Sequence, residues 1–467
     1  MLKRIEVKNF KSIKHLDYKC ARLNLLTGLN GAGKSSFVQS LLLLRALEKH
    51  VEKECYEMPL CEIVGDDDEG ATFEDLKYCY AKPSEEVKFA IEFDVEKNDC
   101  HGDSGIGRIE RTILPWGREG QVIHVCNPDY LKACKELDGV LDPSVVTSWE
   151  ADEMSAEEYY ERQEKMNRLE NELELRTEEA MKKELPFASA YRSLWENANM
   201  VSAFRGHPKQ IHEGMPELTG GWNRGRTGVR FNPEGDDVCG YLAEYGMRTY
   251  LLERAGEANS LIFPGTEMHE STIPGDDRKH TFLLEQVQLW LNIVSPGAKV
   301  SFEKVMVGNR KRYVQSVAYG DKKFKPENVG FGVSDILPVL TTLLTSRPGD
   351  IVIIENPEAH LHPKGQAKMG ELLARAAAYG VQLFVETHSD HVINGIRVAV
   401  ADKLIQPGDV NIAFFERREH GVSRDDGSVE TETYAEVRNI KMDKRGFLSE
   451  YPEGFMDEWN KQLLELS

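Results

Sequence analysis

A segment near the start of the chain has the residue types and the spacing that bind phosphate. Residues 28–35 read GLNGAGKS, in which glycines let backbone N–H groups curl around phosphate oxygens. We expect Lys34 to reach the β- and γ-phosphates of a nucleoside triphosphate and Ser35 to bind Mg²⁺. A predicted strand precedes this P-loop pattern and a predicted apolar helix follows it, so the positive end of the helix dipole faces the phosphates. The candidate nucleotide-binding residues are Gly28, Asn30, Gly31, Ala32, Gly33, Lys34, Ser35 and Ser36.

A carboxylate at the end of a second apolar strand can supply the partner that a P-loop needs. Residues 351–354 are all apolar and are followed directly by Glu355. We expect Glu355 to hold Mg²⁺, directly or through a water molecule. The next residue is Asn356, whose amide cannot accept a proton from an attacking water molecule. Hydrolysis should therefore be slow unless Glu358, or a histidine further along the chain, acts as the base.

Two further segments carry groups that can contact a γ-phosphate. His388 follows a predicted strand over 381–386, and an imidazole at a strand tip is suited to that contact. His388 is also the second candidate for the base. Upstream of Glu355, a glycine-rich segment precedes a predicted apolar helix over 336–344, and its backbone N–H groups can bind an anion. The candidate residues of this segment are Gly330, Gly332 and Ser334.

Histidine and cysteine spacing gives little support to a metal centre. His360 and His362 form an HxH pair that can bind zinc, but no third ligand has suitable spacing. The eight cysteines include no CxxC pair, and the closest two are Cys55 and Cys61. We therefore expect neither a zinc cluster nor a disulfide framework, and the usage fits a reducing cytoplasm. The start of the chain lacks the apolar core of a signal peptide, and no apolar run reaches the length of a membrane span.

The elements that must position these residues are predicted from the periodicity of apolar side chains. The final third alternates strand and helix, which predicts a parallel sheet, over 350–354, 363–379, 381–386 and 390–398. The start of the chain predicts two strands and then a helix, over 5–10, 23–27 and 36–47. Antiparallel strands are expected over 89–95, 106–114 and 121–126. The remaining expectations are a charged helical insertion over 149–185, a loop over 205–240, a helix over 281–293, and strands over 300–302 and 313–318.

In this order, the candidate segments give the chain a clear resemblance to the ABC-type ATPases, which include the RecF, SMC and overcoming-lysogenization-defect (OLD) branches. The resemblance implies an α/β head in which helices flank a mixed sheet, with ATP and Mg²⁺ bound between two copies arranged head to tail. It implies that 330–335 acts on the partner's γ-phosphate, that His388 is the switch histidine, and that 361–363 is a dimer-contact loop. Residues 202–208, with Arg205, are similar to an Arg/Pro loop of the OLD-like branch.

The chain resembles in particular the stand-alone bacterial ATPases that end in a short domain of unknown function, on the wording of residues 446–448 and 451–457. Many of these ATPases lie in anti-phage defence operons. The resemblance implies a regulatory or sensor ATPase that is cytoplasmic, forms homo-oligomers and controls a separately encoded effector protein. The resemblance does not extend to about residues 49–185, whose character is taken from composition and periodicity. The expected division is an ATPase head in two parts (1–48 and 326–400), an antiparallel β section (49–145), a charged helical insertion (146–186), a loop-rich α/β lobe (187–325) and a short C-terminal domain (401–467).

The charge of the chain bears on whether it binds nucleic acid. A formal net charge of −20 opposes diffuse nucleic-acid binding. A RecF-like DNA-maintenance ATPase, in which the basic amino-terminal edge contacts DNA when ATP is bound, remains the alternative. Two local basic clusters are present, although solvated strand edges and loops are their simpler interpretation. The first 22 residues carry seven Lys/Arg against two acids, and the second cluster comprises Arg310, Lys311, Arg312, Lys322, Lys323 and Lys325. A nucleotide-binding scaffold with negligible turnover is a third interpretation.

Overall fold

Nineteen strands and seven α-helices are assigned bounds in the part of the chain that the computed structural model describes. That part comprises residues 1–46, 55–59, 76–81, 85–95, 105–116, 122–126, 187–188, 190–196, 198–205, 207–213, 230–252, 261–270, 279–423 and 429–466. The strands are β1 (Leu2–Phe10), β2 (Ile13–Lys19), β3 (Leu23–Gly28), β4 (Cys55–Pro59), β5 (Val87–Val95), β6 (Gly105–Trp116), β7 (Val122–Cys126), β8 (Asn199–Val201), β9 (Ile211–Glu213), β10 (Tyr250–Leu252), β11 (His269–Glu270), β12 (Lys279–Phe282), β13 (Ala298–Val307), β14 (Arg310–Tyr319), β15 (Lys322–Phe324), β16 (Ile351–Glu355), β17 (Gln382–Glu386), β18 (Val410–Ser423) and β19 (Val429–Ile440). The helices are α1 (Lys34–Ala46), α2 (Val238–Tyr245), α3 (Leu283–Val294), α4 (Phe331–Thr345), α5 (Pro363–Tyr379), α6 (Asp390–Ala401) and α7 (Glu458–Glu465).

The central sheet has the strand order β19-β18-β3-β17-β16-β8. All neighbouring pairs from β18 to β8 are parallel, whereas β19 runs antiparallel to β18. Every residue of β3 and of β17 is buried, as expected for parallel strands covered on both faces. Because the carboxyl ends of parallel strands meet at one edge, Gly28, Glu355 and Glu386 end their strands at the same edge of this sheet.

Two apolar clusters cover the two faces of the central sheet. Along β16, Val352 and Ile354 belong to one cluster, whereas Ile351 and Ile353 belong to the other. The first cluster contains the apolar sides of α3, α4, α5 and α6. The second contains the apolar side of α1 and the buried face of an antiparallel sheet with the order β2-β1-β5-β6-β7-β4. The predicted mixed sheet flanked by helices, with an antiparallel section beside it, is confirmed.

The helices α5 and α6 cross at very short range. A Cβ atom added to Gly370 would lie 2.2 Å from the carbonyl oxygen of Val392, and one added to Gly395 would lie 2.0 Å from that of Ala367. Only glycine therefore fits at both positions of this crossing. The two helices follow β16 and β17, so their close packing fixes the two strands that carry the candidate acidic residues relative to each other.

Several strands and helices agree with the sequence predictions, and two predictions near the site are wrong. The predicted helix over 363–379 is α5, and the antiparallel strands over 89–95 and 106–114 lie within β5 and β6. The start of the chain has three strands before α1, because β2 was not predicted: its exposed face carries Lys14, His15 and Asp17, which hide the alternation of its buried residues. The helix predicted over 336–344 begins at Phe331, so Gly332 and Ser334 lie inside the helix and not before it.

The segment predicted as a loop over 205–240 contains β9 and the start of α2 in its described residues, so that prediction is also wrong in part. The strands predicted over 300–302 and 313–318 are confirmed and longer, and form the hairpin of β13 and β14. The charged helical insertion predicted over 149–185 lies outside the described residues. Within the described ranges, no helix combines the length and the apolar character needed to cross a bilayer.

Candidate active site

The P-loop connects β3 to α1 through glycines in left-handed backbone conformations. The φ angles of Gly28, Gly31 and Gly33 are 134°, 73° and 105°, values that other residues adopt only with strain. Beyond these glycines the chain enters α1 at Lys34, whose Nζ atom donates hydrogen bonds to the carbonyl oxygens of Gly28 (3.0 Å) and Leu29 (2.9 Å). Burial lowers the pKa of Lys34, and the nearby Glu386 carboxylate partly opposes that shift. The buried ammonium group and the inward-curled loop form a site that fits a phosphate chain.

Glu386, which sequence reasoning missed, is the carboxylate beside the P-loop serine. The Oγ atom of Ser35 lies 3.5 Å from the Oε1 atom of Glu386, at the end of β17. Burial raises the pKa of Glu386; the Lys34 charge opposes this shift and the Glu355 charge adds to it. The position shows the signal that identified Glu355, a carboxylate that ends an apolar strand. It was overlooked because spacing alone does not show that β17 lies between β3 and β16.

Glu355 lies beside Glu386, since the two residues are directly paired in the register of β16 and β17. Its Oε2 atom accepts a hydrogen bond of 2.9 Å from the backbone N–H of Ala203. The hydroxyl of Ser35 and these two carboxylates provide the hard oxygen ligands that Mg²⁺ prefers, so the donor set fits this ion. Among the described residues, no group of three His, Cys, Asp or Glu side chains could hold a metal unaided.

Glu358 and His388 meet at the tip of β17. The backbone N–H of His388 donates a hydrogen bond of 2.8 Å to the Oε1 atom of Glu358, while the Oε2 atom of Glu358 is buried with no hydrogen-bond partner. Desolvation of its covered side, and then the Lys34 charge, lowers the pKa of the His388 imidazole. His388 and the oriented Glu358 carboxylate therefore lie together at the strand tip, where the Lys34 charge acts on His388.

The glycine-rich segment lies apart from the P-loop of its own chain. Gly330 is the N-cap of α4, and Gly332 and Ser334 lie in its first turns. A Cβ atom at Gly332 would lie 2.7 Å from the carbonyl oxygen of His360, so this glycine serves a close helix contact. Helix α4 contacts β8 and β16. Strand β17 lies between β16 and β3, so the strand that leads into the P-loop is two strand spacings, of about 4.8 Å each, away from β16. One chain thus brings together the P-loop, Glu355, Glu358 and His388, and leaves Ser334 on the far side of the acidic strand.

Family models match this chain in three places. The model described as "AAA ATPase domain" matches residues 1–205, and the model described as "AAA domain, putative AbiEii toxin, Type IV TA system" matches residues 247–394. The chain contains AAA-type ATPase domains. The P-loop lies in the first match, and the acidic strand and His388 lie in the second. A model of a protein of unknown function, DUF3696, matches residues 405–466 of this ATPase.

Solved structures of SMC head domains are distantly similar to the ATPase. The SmcHead bound to the C-winged helix domain of ScpA has 12% sequence identity and a TM-score of 0.45, covering 95% of this chain and 98% of its own. The Smc head domain of Pyrococcus yayanosii with a coiled coil and joint has 10% identity and a TM-score of 0.42, covering 94% and 97%. The SMC head domain from Thermotoga maritima has 9% identity and a TM-score of 0.38, covering 94% and 99%. No curated protein matches the chain.

The two histidines of the HxH pair have separate local contacts in this ATPase. The Nε2 atom of His360 lies 3.4 Å from a carboxylate oxygen of Asp335 in α4. The Nδ1 atom of His362 accepts a hydrogen bond of 3.4 Å from the backbone N–H of Lys364 and caps α5. These contacts give each imidazole a structural role in the segment that follows the acidic strand.

Proposed function

We propose that this chain binds MgATP at the carboxyl edge of its central sheet and hydrolyses it slowly. The observation that carries the proposal is the convergence of the P-loop, Glu355, Glu386 and the Glu358–His388 pair at one edge. The P-loop N–H groups would hold the phosphates, and Lys34 would exchange its two carbonyl acceptors for phosphate oxygens. Ser35, Glu355 and Glu386 would hold Mg²⁺, which when bound would neutralise charge on the β- and γ-phosphates.

Glu358 is the group we assign as the base. Asn356 cannot accept a proton, whereas Glu358 has one oxygen fixed by the His388 N–H and one oxygen without a partner. His388 would donate a hydrogen bond to the γ-phosphate from the strand tip. Glu358 lies two residues beyond Asn356 along the turn, and a base in this displaced position is consistent with slow turnover. ATP binding, more than hydrolysis, would then act as the signal.

A second copy of the chain is the partner we propose for the nucleotide edge. The start of α4 lies beyond the acidic strand in its own chain, so its backbone N–H groups would reach a triphosphate only in a neighbouring copy. The Oγ atom of Ser334 is buried, so we assign this contact to the backbone and not to the serine side chain. Three apolar side chains are exposed on elements that reach this edge: Leu29 in the P-loop (64% exposed), Phe204 after β8 (65%) and Phe331 at the start of α4 (49%). Their burial against a second copy would favour the closed, ATP-bound dimer.

The biological role we propose is control of a separately encoded effector in anti-phage defence. Support comes from the family model over 247–394, whose description includes a putative toxin of a type IV toxin–antitoxin system. An effector encoded beside this chain, and purified with it in an ATP-dependent way, would agree with this role. A complex that forms equally well without ATP would argue against it.

DNA binding is the second candidate function, and the basic cluster on β14 and β15 favours it. Arg310 and Lys311 at the start of β14, together with all three residues of β15, are exposed. Ion pairs with acidic side chains involve Lys3, Arg4 and Lys14 in the amino-terminal cluster. In the second cluster they involve Lys311 and Arg312. DNA affinity that requires ATP and falls steeply with salt would support this candidate.

The test of ATP binding and hydrolysis compares the wild-type chain with Lys34→Ala and Glu358→Gln. We expect MgATP binding and dimer formation, measured by calorimetry and light scattering, in the wild type and in Glu358→Gln but not in Lys34→Ala. Phosphate release should be lost in Lys34→Ala and should fall about 10²- to 10⁴-fold in Glu358→Gln. A Lys34→Ala chain that still dimerised with ATP would contradict the proposed site. Undetectable wild-type hydrolysis with normal ATP binding, in the presence of the effector, would favour the scaffold interpretation.

A further inference from the structure

We propose that Arg205 is a positioning residue for the acidic turn after β16, and that it places Glu355 for Mg²⁺ binding. This inference rests on the proposed ATPase function and adds a residue to that site. Arg205 is 150 residues away from Glu355 along the chain and belongs to the loop that leaves β8. Because β8 pairs with β16 in parallel, both segments emerge at the same edge of the sheet.

The guanidinium group of Arg205 binds the backbone of the acidic turn. Its Nη2 atom donates hydrogen bonds to the carbonyl oxygens of Glu355 (2.7 Å) and Asn356 (3.1 Å). Asn356 has a φ angle of 46°, a left-handed conformation that residues with side chains seldom adopt. The two hydrogen bonds and a third from the N–H of Asn356 to the carbonyl oxygen of Glu386 (2.8 Å) hold the turn in this conformation.

The same loop also fixes the carboxylate of Glu355. The backbone N–H of Ala203 donates to the Oε2 atom of Glu355 at 2.9 Å. One short loop therefore binds both the main chain and the side chain of the proposed magnesium ligand. Residues that do not themselves bind a metal commonly orient its ligands through such hydrogen bonds.

The charge and burial of Arg205 suit this role. The side chain is 8% exposed, and the acidic groups whose charges act on it are Asp335, Glu358 and Glu355. One buried guanidinium thus offsets part of the repulsion among carboxylates that must lie close together around a cation. Its Nε atom is buried with no hydrogen-bond partner, so the carbonyl contacts leave part of its donor capacity unused.

The experiment compares Arg205→Met and Arg205→Lys with the wild-type chain, and uses Arg375→Met as a matched control. Arg375 lies in α5 outside the site, is also largely covered, and pairs with Glu371 at 2.8 Å. We expect Arg205→Met to lower kcat about 10- to 100-fold, as losses of outer-shell partners do. It should also raise the Mg²⁺ concentration for half-maximal rate, and ATP binding without Mg²⁺ should be retained. Arg205→Lys should recover part of the rate, since an ammonium group keeps the charge and can reach a carbonyl. Arg375→Met should leave the Mg²⁺ dependence unchanged.

The outcomes separate this inference from the proposed function. A wild-type chain that neither binds nor hydrolyses ATP would refute the proposed function itself. If the wild type binds ATP without detectable turnover, the Mg²⁺ dependence of ATP affinity replaces kcat as the measured quantity. An Arg205→Met chain with wild-type kcat and Mg²⁺ dependence would overturn only the role of Arg205. If Arg205→Met does not fold, Arg205→Gln, which keeps an N–H donor without charge, provides the same comparison. Failure of both variants to fold would overturn the inference, because Arg205 would then act through stability alone.

Discussion

Replacing Gly33 with alanine tests whether the P-loop is supported by the strand β19 near the end of the chain. Gly33 has a φ angle of 105°, and a Cβ atom there would lie 2.5 Å from the Cβ atom of Ala435 and 2.9 Å from the Oγ atom of Ser12. The strained conformation should cost about 1–3 kcal/mol. Overpacking against Ala435 should cost a further ~1–3 kcal/mol. We therefore expect the Gly33→Ala variant to lose about 2–6 kcal/mol of unfolding free energy, a large part of the stability of a typical domain.

The second substitution, Ala435→Gly, separates these two terms. Removal of the Ala435 methyl relieves the closest contact, while the hydroxyl of Ser12 can rotate away, so the double variant should recover only the overpacking part. Urea unfolding of the wild type, both single variants and the double variant measures the coupling energy, which we expect to be about 1–3 kcal/mol. The ATP-induced shift in Tm should fall in Gly33→Ala and recover partly in the double variant. A coupling energy of zero would refute the contact between the P-loop and β19.

Three further predictions concern the charged groups of the site. Lys34→Ala should abolish ATP-dependent assembly, since the loop loses its one buried cation; light scattering with and without ATP measures this, and unchanged assembly would contradict the site. Glu358→Gln keeps the acceptor for the His388 N–H, so it should retain ATP binding while kcat falls about 10²- to 10⁴-fold; an unchanged rate would remove Glu358 from the mechanism. Burial raises the pKa of Glu386 in the folded chain above its value of about 4.5 in the unfolded chain. As the pH rises from about 4.5 through the folded-state pKa, the unfolded chain ionises Glu386 more readily than the folded chain does, so the folded chain loses stability. Glu386→Gln should therefore stabilise the chain, relative to the wild type, more at about pH 8 than at about pH 4, as read from unfolding midpoints.

The bounds of an element were predicted well where residues that begin or end a helix lie at both of its ends. Helix α5 begins after its N-cap His362, with Pro363 at its first position. Its C-cap is Gly380, which has a φ angle of 109°, so the sequence predicted both ends of the helix correctly. The P-loop was equally readable, since its glycines, lysine and serine form one contiguous segment.

The missed features depend on contacts between distant segments. Neither the pairing of Ser35 with Glu386 nor the hydrogen bonds of Arg205 can be read from spacing, because both depend on which strand neighbours which in the sheet. Gly332 was misleading for a related reason. It was interpreted as an anion-binding residue ahead of a helix, but it lies inside α4, where its lack of a side chain allows close packing against His360. The roles of all the site residues stay predictions until the variants above are measured.

The position of β3 between β17 and β18 bears on when the nucleotide site can form during synthesis. Strand β3 is synthesised long before both of its neighbours in the sheet, Gln382–Glu386 and Val410–Ser423. Its backbone groups therefore lack one sheet partner until Gln382–Glu386 has been made, and the other until the ribosome has released the segment that the DUF3696 model matches. A nascent chain interrupted before Val410 would carry the complete P-loop motif without the strand that covers Gly28, and such a fragment should be recognised by chaperones or proteases rather than bind ATP.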